Sequence, residues 1–191
     1  MIKGSQWIGL TAVALALIGC TPTDVNSELE RLIERMPSIT RMGREPPAET
    51  ATAVGAQSVT TAEMEALVHA QINAIRQQEG LNSLQLNGRL AQVARQYSQR
   101  MAEEDFFAHV SPTGDSPAQR VSGANIPYWI VGENLFTSTN APDPAPLAVQ
   151  SWMDSPGHRE NILRSSFTET GIGVWQRGNT YYFTQLLMRP L

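Results

Sequence analysis

Apolar positions recur at helical spacing in three stretches of the chain and give way to an aromatic, β-branched pattern near its end. Met64, Leu67, Val68, Ile72 and Ile75 form one stripe, opened by the capping-box pattern Thr60-x-x-Glu63 and stopped before Gly80, which predicts a first helix. Leu86, Leu90, Val93, Ala94, Tyr97 and Met101 form a second stripe, with Asn87 as its N-cap and Glu103-Glu104-Asp105 as its solvated end. Ala145, Ala148, Val149, Trp152 and Met153 form a third, which Ser155-Pro156-Gly157 breaks. Between the second and third helices the chain is rich in turns. Ser116-Pro117 restarts a short helix through Arg120 and Val121, Gly123 to Trp129 reads as a loop, and Val131 to Thr137 as a short strand or extended arm. Gly171 to Trp175 and Tyr181 to Met188 read as an antiparallel hairpin turning at Gly178-Asn179. Helices first and strands last predict an α+β layered domain, with the sheet in the middle, over residues 59–191. No internal repeat is present.

The first residues follow a different rule. Lys3 precedes the apolar run Trp7 to Ile18, too short to span a membrane comfortably, so residues 1–19 are expected to be a signal peptide. The run ends Leu17-Ile-Gly-Cys20, which resembles a bacterial lipobox and makes Cys20 the expected lipidation site. Acyl chains on Cys20 would hold the protein on a membrane, at about 0.8 kcal/mol per buried CH₂. Thr21 after the cysteine resembles the outer-membrane sorting pattern of Gram-negative hosts. Residues 20–58, with Pro22, Pro37, Pro46 and Pro47, read as a lipid-anchored tether, and Asp24 to Met36 as a marginal helix on it. The expected protein is an exported, membrane-anchored lipoprotein.

Charge and composition remove several function classes. The chain of 191 residues has a net charge of −4. From Val59 onward nine arginines face twelve carboxylates with no basic run, which argues against nucleic acid as a partner. The sole lysine, Lys3, lies in the expected signal peptide, so Schiff-base and P-loop chemistry are excluded in the mature protein. One cysteine permits no intramolecular disulfide, and a domain of about 130 residues is large enough to stand on its core as a monomer.

The candidate chemistry lies at three apolar-to-polar transitions: Phe107-Ala-His109-Val-Ser-Pro112, Gly132-Glu133-Asn134-Leu135, and Trp152-x-x-Ser-Pro-Gly-His158-Arg-x-Asn161-Ile-Leu163. The remaining histidine, His69, sits on a helix flank and reads as structural. With the closing Gly171-Ile-Gly-Val174, these motifs resemble the bacterial branch of the CAP superfamily, which includes cysteine-rich secretory proteins, antigen 5 and pathogenesis-related proteins, and whose domain is also called SCP. The resemblance covers about Thr60 to Met188. It implies a three-layer α-β-α sandwich with a central antiparallel sheet and a cleft lined by two His and two Glu. His109, Glu133 and His158 fall on three of those positions. The fourth falls on Ser155, beside Asp154, so the tetrad is altered, and the disulfides of eukaryotic members are missing.

Three readings of the trio are open. In one, His109, Glu133 and His158 are a hydrogen-bonded network pinning loops to the sheet, since a buried carboxylate must be paired. In another, His109 and His158 are ligands for zinc, completed by a carboxylate or water. In the third they are acid and base acting on a bound water, with Ser111 and Ser155 poor nucleophiles for want of an elbow or oxyanion loop. Asn134, Asn161 and Arg159 are expected to fix the loops. The expected function is a cleft, with Ser111 and Ser155 among its lining residues, that binds a lipid, envelope glycan or peptide. A peptidase-type or nuclease-type hydrolase using the same cleft is the alternative.

Overall fold

The closing hairpin supplies two of the sheet's three long strands. The structure, a computed structural model, describes residues 59–191; the expected signal peptide, Cys20 and the tether lie outside the described residues. The elements in order are α1 (Val59–Gln78), β1 (Gln85–Leu86), α2 (Gly88–Glu103), α3 (Pro117–Gly123), β2 (Tyr128–Thr139), α4 (Pro144–Asp154), α5 (Pro156–Leu163), β3 (Glu169–Arg177) and β4 (Thr180–Pro190). The sheet order is β1-β3-β4-β2, antiparallel except for β1, which adds two residues parallel to β3. Strand β4 is internal and covered on both faces, which is why Tyr181 to Met188 reads as a nearly continuous aromatic and aliphatic run rather than an alternating one.

Alternation along β3 separates the two helical layers. Ile172 and Val174 join Val68, Ile72, Trp152, Ile162, Phe167, Phe183 and Leu187 on one face, beneath α1, α4 and α5. Gly171 and Gly173 face the other way, toward α2. A Cβ on Gly173 would lie 2.1 Å from the Arg95 backbone nitrogen, and one on Gly171 2.3 Å from that of Ala91. The α2 backbone therefore rests directly on the strand, and Ser98 fastens it by donating to the Gly173 carbonyl at 3.0 Å. Leu90, Val93, Ala94 and Val121 meet Leu186 and Met188 on this second face. Each large apolar side chain buried in these layers contributes about 1.5–3 kcal/mol relative to exposure. The result is the expected three-layer sandwich.

Several local expectations change. Helix α1 is already running at Val59, so Thr60 lies inside it rather than at its cap. Its buried face runs through Thr61, Glu65, Val68, Ile72 and Arg76, while Leu67 is exposed. The face is rotated because both charged residues have partners inside. Glu65 Oε1 accepts from the Val174 backbone N–H at 3.0 Å, capping the open edge of β3, and both its oxygens accept from Arg95 Nε at 2.9 and 3.0 Å. Arg76 donates to the carbonyls of Asn82, Ile162, Arg164 and Phe167, joining the end of α1 to the end of α5. Leu86, placed in the α2 stripe by its spacing, is exposed in β1. Asn87 does cap α2, accepting from the Leu90 N–H at 3.0 Å. Strand β2 extends well beyond Val131–Thr137, because β4 pairs along its whole length.

Candidate functional site

Strand β2 is an edge strand, so the two helical layers meet over its outer side. Val131, Glu133 and Leu135 point to the α2–α3 layer, and Ile130, Asn134 and Phe136 to the α4–α5 layer. Side chains from the second layer close the strand's open edge: Trp152 Nε1 donates to the Leu135 carbonyl at 2.9 Å and Asn161 Nδ2 to the Glu133 carbonyl at 3.3 Å. Asn161 also donates to Asn134 Oδ1 at 2.9 Å, and Asn134 Nδ2 to the His158 carbonyl at 3.2 Å. The expected loop-fixing role of these two asparagines is met, and a Cβ on Gly132 would collide with Phe167 at 2.9 Å beside them.

His109 arrives from one layer and His158 from the other. The segment after α2 is held by the Tyr97 hydroxyl, which donates to the Ala108 carbonyl at 2.5 Å, so His109 turns over β2. His158 does not sit in a loop: the Pro156-Gly157 break starts a second helix, α5, with Pro156 in its first turn. The two imidazole centroids are 6.5 Å apart with planes inclined at 50°. His109 Nδ1 lies 2.8 Å from Glu133 Oε1. Glu133, with its side chain 2% exposed, uses its other oxygen to accept from Arg120 Nη2 at 2.7 Å. Burial, then the neighbouring His109, pushes the His158 imidazole below its ordinary pKa.

Arg120 escaped the sequence reading as a site residue. Besides Glu133, it donates to the His109 carbonyl at 3.1 Å and the Asp115 carbonyl at 2.8 Å, and its guanidinium carbon lies 3.3 Å from the Tyr97 ring centroid. The signal was weak: one arginine beside Val121 in a short helix, where charge ordinarily means surface. Asp115 is the second centre of this segment. Burial pushes its carboxyl up, but hydrogen bonds from Ser111, Arg100 and Thr113 outweigh that and hold it well below the usual carboxylate range. Ser111, expected to line the cleft, is buried and spends its hydroxyl on Asp115. Ser155 occupies the junction between α4 and α5 without a side-chain capping bond, and Asp154 is exposed on a shallow depression with Met153, Arg159 and Glu160. Arg159 pairs with Glu79 at 3.0 Å on the surface. His69 bonds to the Leu84 carbonyl and to Asn73, the structural role its position predicts.

A profile of CAP, the Cysteine-rich secretory protein family, matches residues 69–187, a span that holds His109, Arg120, Glu133 and His158. The chain belongs to the CAP family. Two Bacillus subtilis proteins are similar to it: YkwD, 38% identical over 109 residues, and the membrane protein YlbC, 35% identical over 113. The matches cover 57% and 59% of this chain but only 41% and 31% of those proteins, so the chain spans less than half the length of either relative. Among solved structures, an extracellular protein containing a SCP domain from Bacillus anthracis aligns with a TM-score of 0.62 at 26% identity, over 71% of this chain and 45% of that one. An outer surface protein from Borrelia burgdorferi aligns at 0.63 and 22% identity, over 69% of this chain and 96% of that one, a likeness of fold. Set within the CAP fold, the two imidazoles stand 6.5 Å apart, with the buried carboxylate of Glu133 behind His109 and Arg120 behind that.

Proposed function

We propose that this CAP domain is an exported binding module, held on the bacterial envelope through lipidated Cys20, whose cleft takes a ligand between His109 and His158. The ligand classes are a lipid headgroup, an envelope glycan or a peptide. One observation carries the reading: the two imidazoles converge from opposite layers while both oxygens of Glu133 are already engaged, by His109 and by Arg120. A hydrolase needs a free general base near its water. Glu133 is not free for that role, which leaves the half-exposed His109 ring as the group within reach of a ligand or a water. The naming of the B. anthracis protein as extracellular and of the B. burgdorferi protein as an outer surface protein supports an exported location.

Zinc fits this cleft only as a two-histidine site. Among the described residues no three His, Cys, Asp or Glu side chains are grouped to hold a metal, and Glu133 is paired with Arg120. His109 and His158 would be the protein ligands, water or ligand oxygens would complete the coordination, and Glu133 would orient His109 from behind. Calorimetric titration of the purified protein with zinc chloride tests this: one ion per chain is expected, lost in H109A and in H158A and weakened less in E133Q. Equal binding by all three variants would remove the cleft as the site. Turnover of casein or of DNA that stops with a chelator would replace binding by hydrolysis. The anchor is tested by the intact mass of membrane-extracted protein, where acyl mass on an N-terminal Cys20 is expected and a mature N-terminus elsewhere would refute it.

A further inference from the structure

We infer that Arg120 is a positioning residue that fixes which nitrogen of His109 faces the cleft. The inference rests on the cleft between His109 and His158 being the working site. Arg120 has no acceptor atom, so at its contact with Glu133 Oε2, 2.7 Å long, the carboxylate always accepts. A carboxylate held in this way is acceptor-only, and its second oxygen, Oε1, must also be met by a donor. The group at Oε1 is His109 Nδ1, 2.8 Å away. The neutral imidazole therefore carries its proton on Nδ1 and leaves the Nε2 lone pair bare. The pair that dictates this is shielded from water, with Arg120 and Glu133 side chains 9% and 2% exposed.

The same guanidinium also fixes where the ring stands. Its bonds to the His109 and Asp115 carbonyls tie the two ends of the 109–115 segment together, and Tyr97, against whose face it stacks, holds Ala108 next to His109. Arg120 is presented in turn by α3, whose first turn is locked by a reciprocal capping box between Ser116 and Gln119 with Pro117 following. A bare Nε2 accepts hydrogen bonds and ligates cations, so the neutral cleft selects ligand groups that donate, such as hydroxyls, amide N–H groups or ammonium, or a metal ion. Glycan hydroxyls and lipid-headgroup amines meet this rule. A neutral ligand offering only acceptors does not.

Nitrogen NMR of histidine-labelled protein at about pH 8, above the ordinary imidazole range, reads the tautomer directly from the one-bond and long-range couplings of each ring. Wild type is expected to show His109 with a pyrrole-type Nδ1 and a pyridine-type Nε2. E133Q makes the sharper test. If Arg120 sets the orientation, it captures the amide oxygen of residue 133 and turns the amide NH₂ toward His109, so the tautomer inverts to Nε2–H. R120Q leaves the Glu133 carboxylate acceptor-only, so Nδ1–H is expected to persist, while the ring, released from the guanidinium's ties to the His109 and Asp115 carbonyls, loses its fixed place and its nitrogen signals broaden. Should R120Q fail to fold, wild type and E133Q still decide the matter. A wild-type His109 that is protonated on Nε2, or an E133Q ring that keeps its proton on Nδ1, overturns the inference, as does an R120Q ring whose signals stay as sharp as in wild type. Absence of zinc binding together with the stated tautomers would remove the metal reading of the cleft and leave the role of Arg120 intact.

Discussion

His158 is the residue in which packing and electrostatics of the site act in the same direction. Burial and the adjacent His109 both disfavour its charged form in the folded protein. The unfolded chain therefore takes up the proton first, so the contribution of this residue is complete above about pH 6.5 and is lost as pH falls below that value. Urea denaturation of chelator-treated protein between about pH 7 and pH 5 is expected to show stability falling toward the acid side in wild type, and falling less in H158Q. Identical slopes in the two proteins would place the ring in water. His109, Glu133 and His158 were legible in sequence because each is an ionisable group set among apolar and turn-forming residues. Arg120, Glu65 and Arg76 were not. A charged side chain on a helix is ordinarily surface, and what buries these three is supplied from far along the chain: Glu133 for Arg120, the Val174 amide for Glu65, and the carbonyls from Ile162 to Phe167 for Arg76.

At the scale of elements, the contact of α2 with β3 leaves no room for a side chain at Gly171 or Gly173. With the Cβ of a G173A variant directed at backbone atoms of Ala94 and Arg95 2.1–2.6 Å away, no rotamer change relieves the clash and the helix must lift from the sheet. Overpacking of this kind costs typically about 1–3 kcal/mol, and a rigid backbone obstacle puts G173A at the upper end of that range. Thermal or urea melts measure it. A cost near zero would mean that α2 is free to shift. The sequence announced the hairpin through its aromatic and β-branched runs, but the meaning of Gly171-Ile-Gly-Val174 as an alternation between a helix-backbone face and an apolar core face emerges only when both layers are in place. Strand β2 was underestimated for a related reason. Its covered residues are split between two layers, and Gly132, Glu133 and Asn134 interrupt the apolar pattern at the point where the site is built. The break at Ser155 to Gly157 was visible as a stop, whereas its restart as α5 depends on Ile162 reaching the core and Asn161 reaching β2.

For the molecule as a whole, two helical layers over a four-stranded sheet bring His109 and His158 together beside β2, and the CAP profile covers residues 69–187 of that assembly. Described residues 59–191 contain both layers and the whole sheet. A protein beginning near Ser58 is therefore expected to unfold in one cooperative urea transition, as single domains under about 150 residues ordinarily do. A broad transition that sharpens when residues 21–58 are restored would show that the tether packs on the domain. Layer order and chain order were legible from periodicity. The anchor through Cys20 rests on sequence pattern alone, and the ligand class rests on cleft chemistry.

Anomalous diffraction at the zinc edge from crystals soaked in zinc chloride tests the central claim most directly. The account predicts one peak bound by Nε2 of His109 and a ring nitrogen of His158, with Glu133 still paired to Arg120 and Nδ1 of His109 still on Glu133. A peak elsewhere on the surface, or His109 and His158 rings turned away from each other with no ion between them, would contradict it.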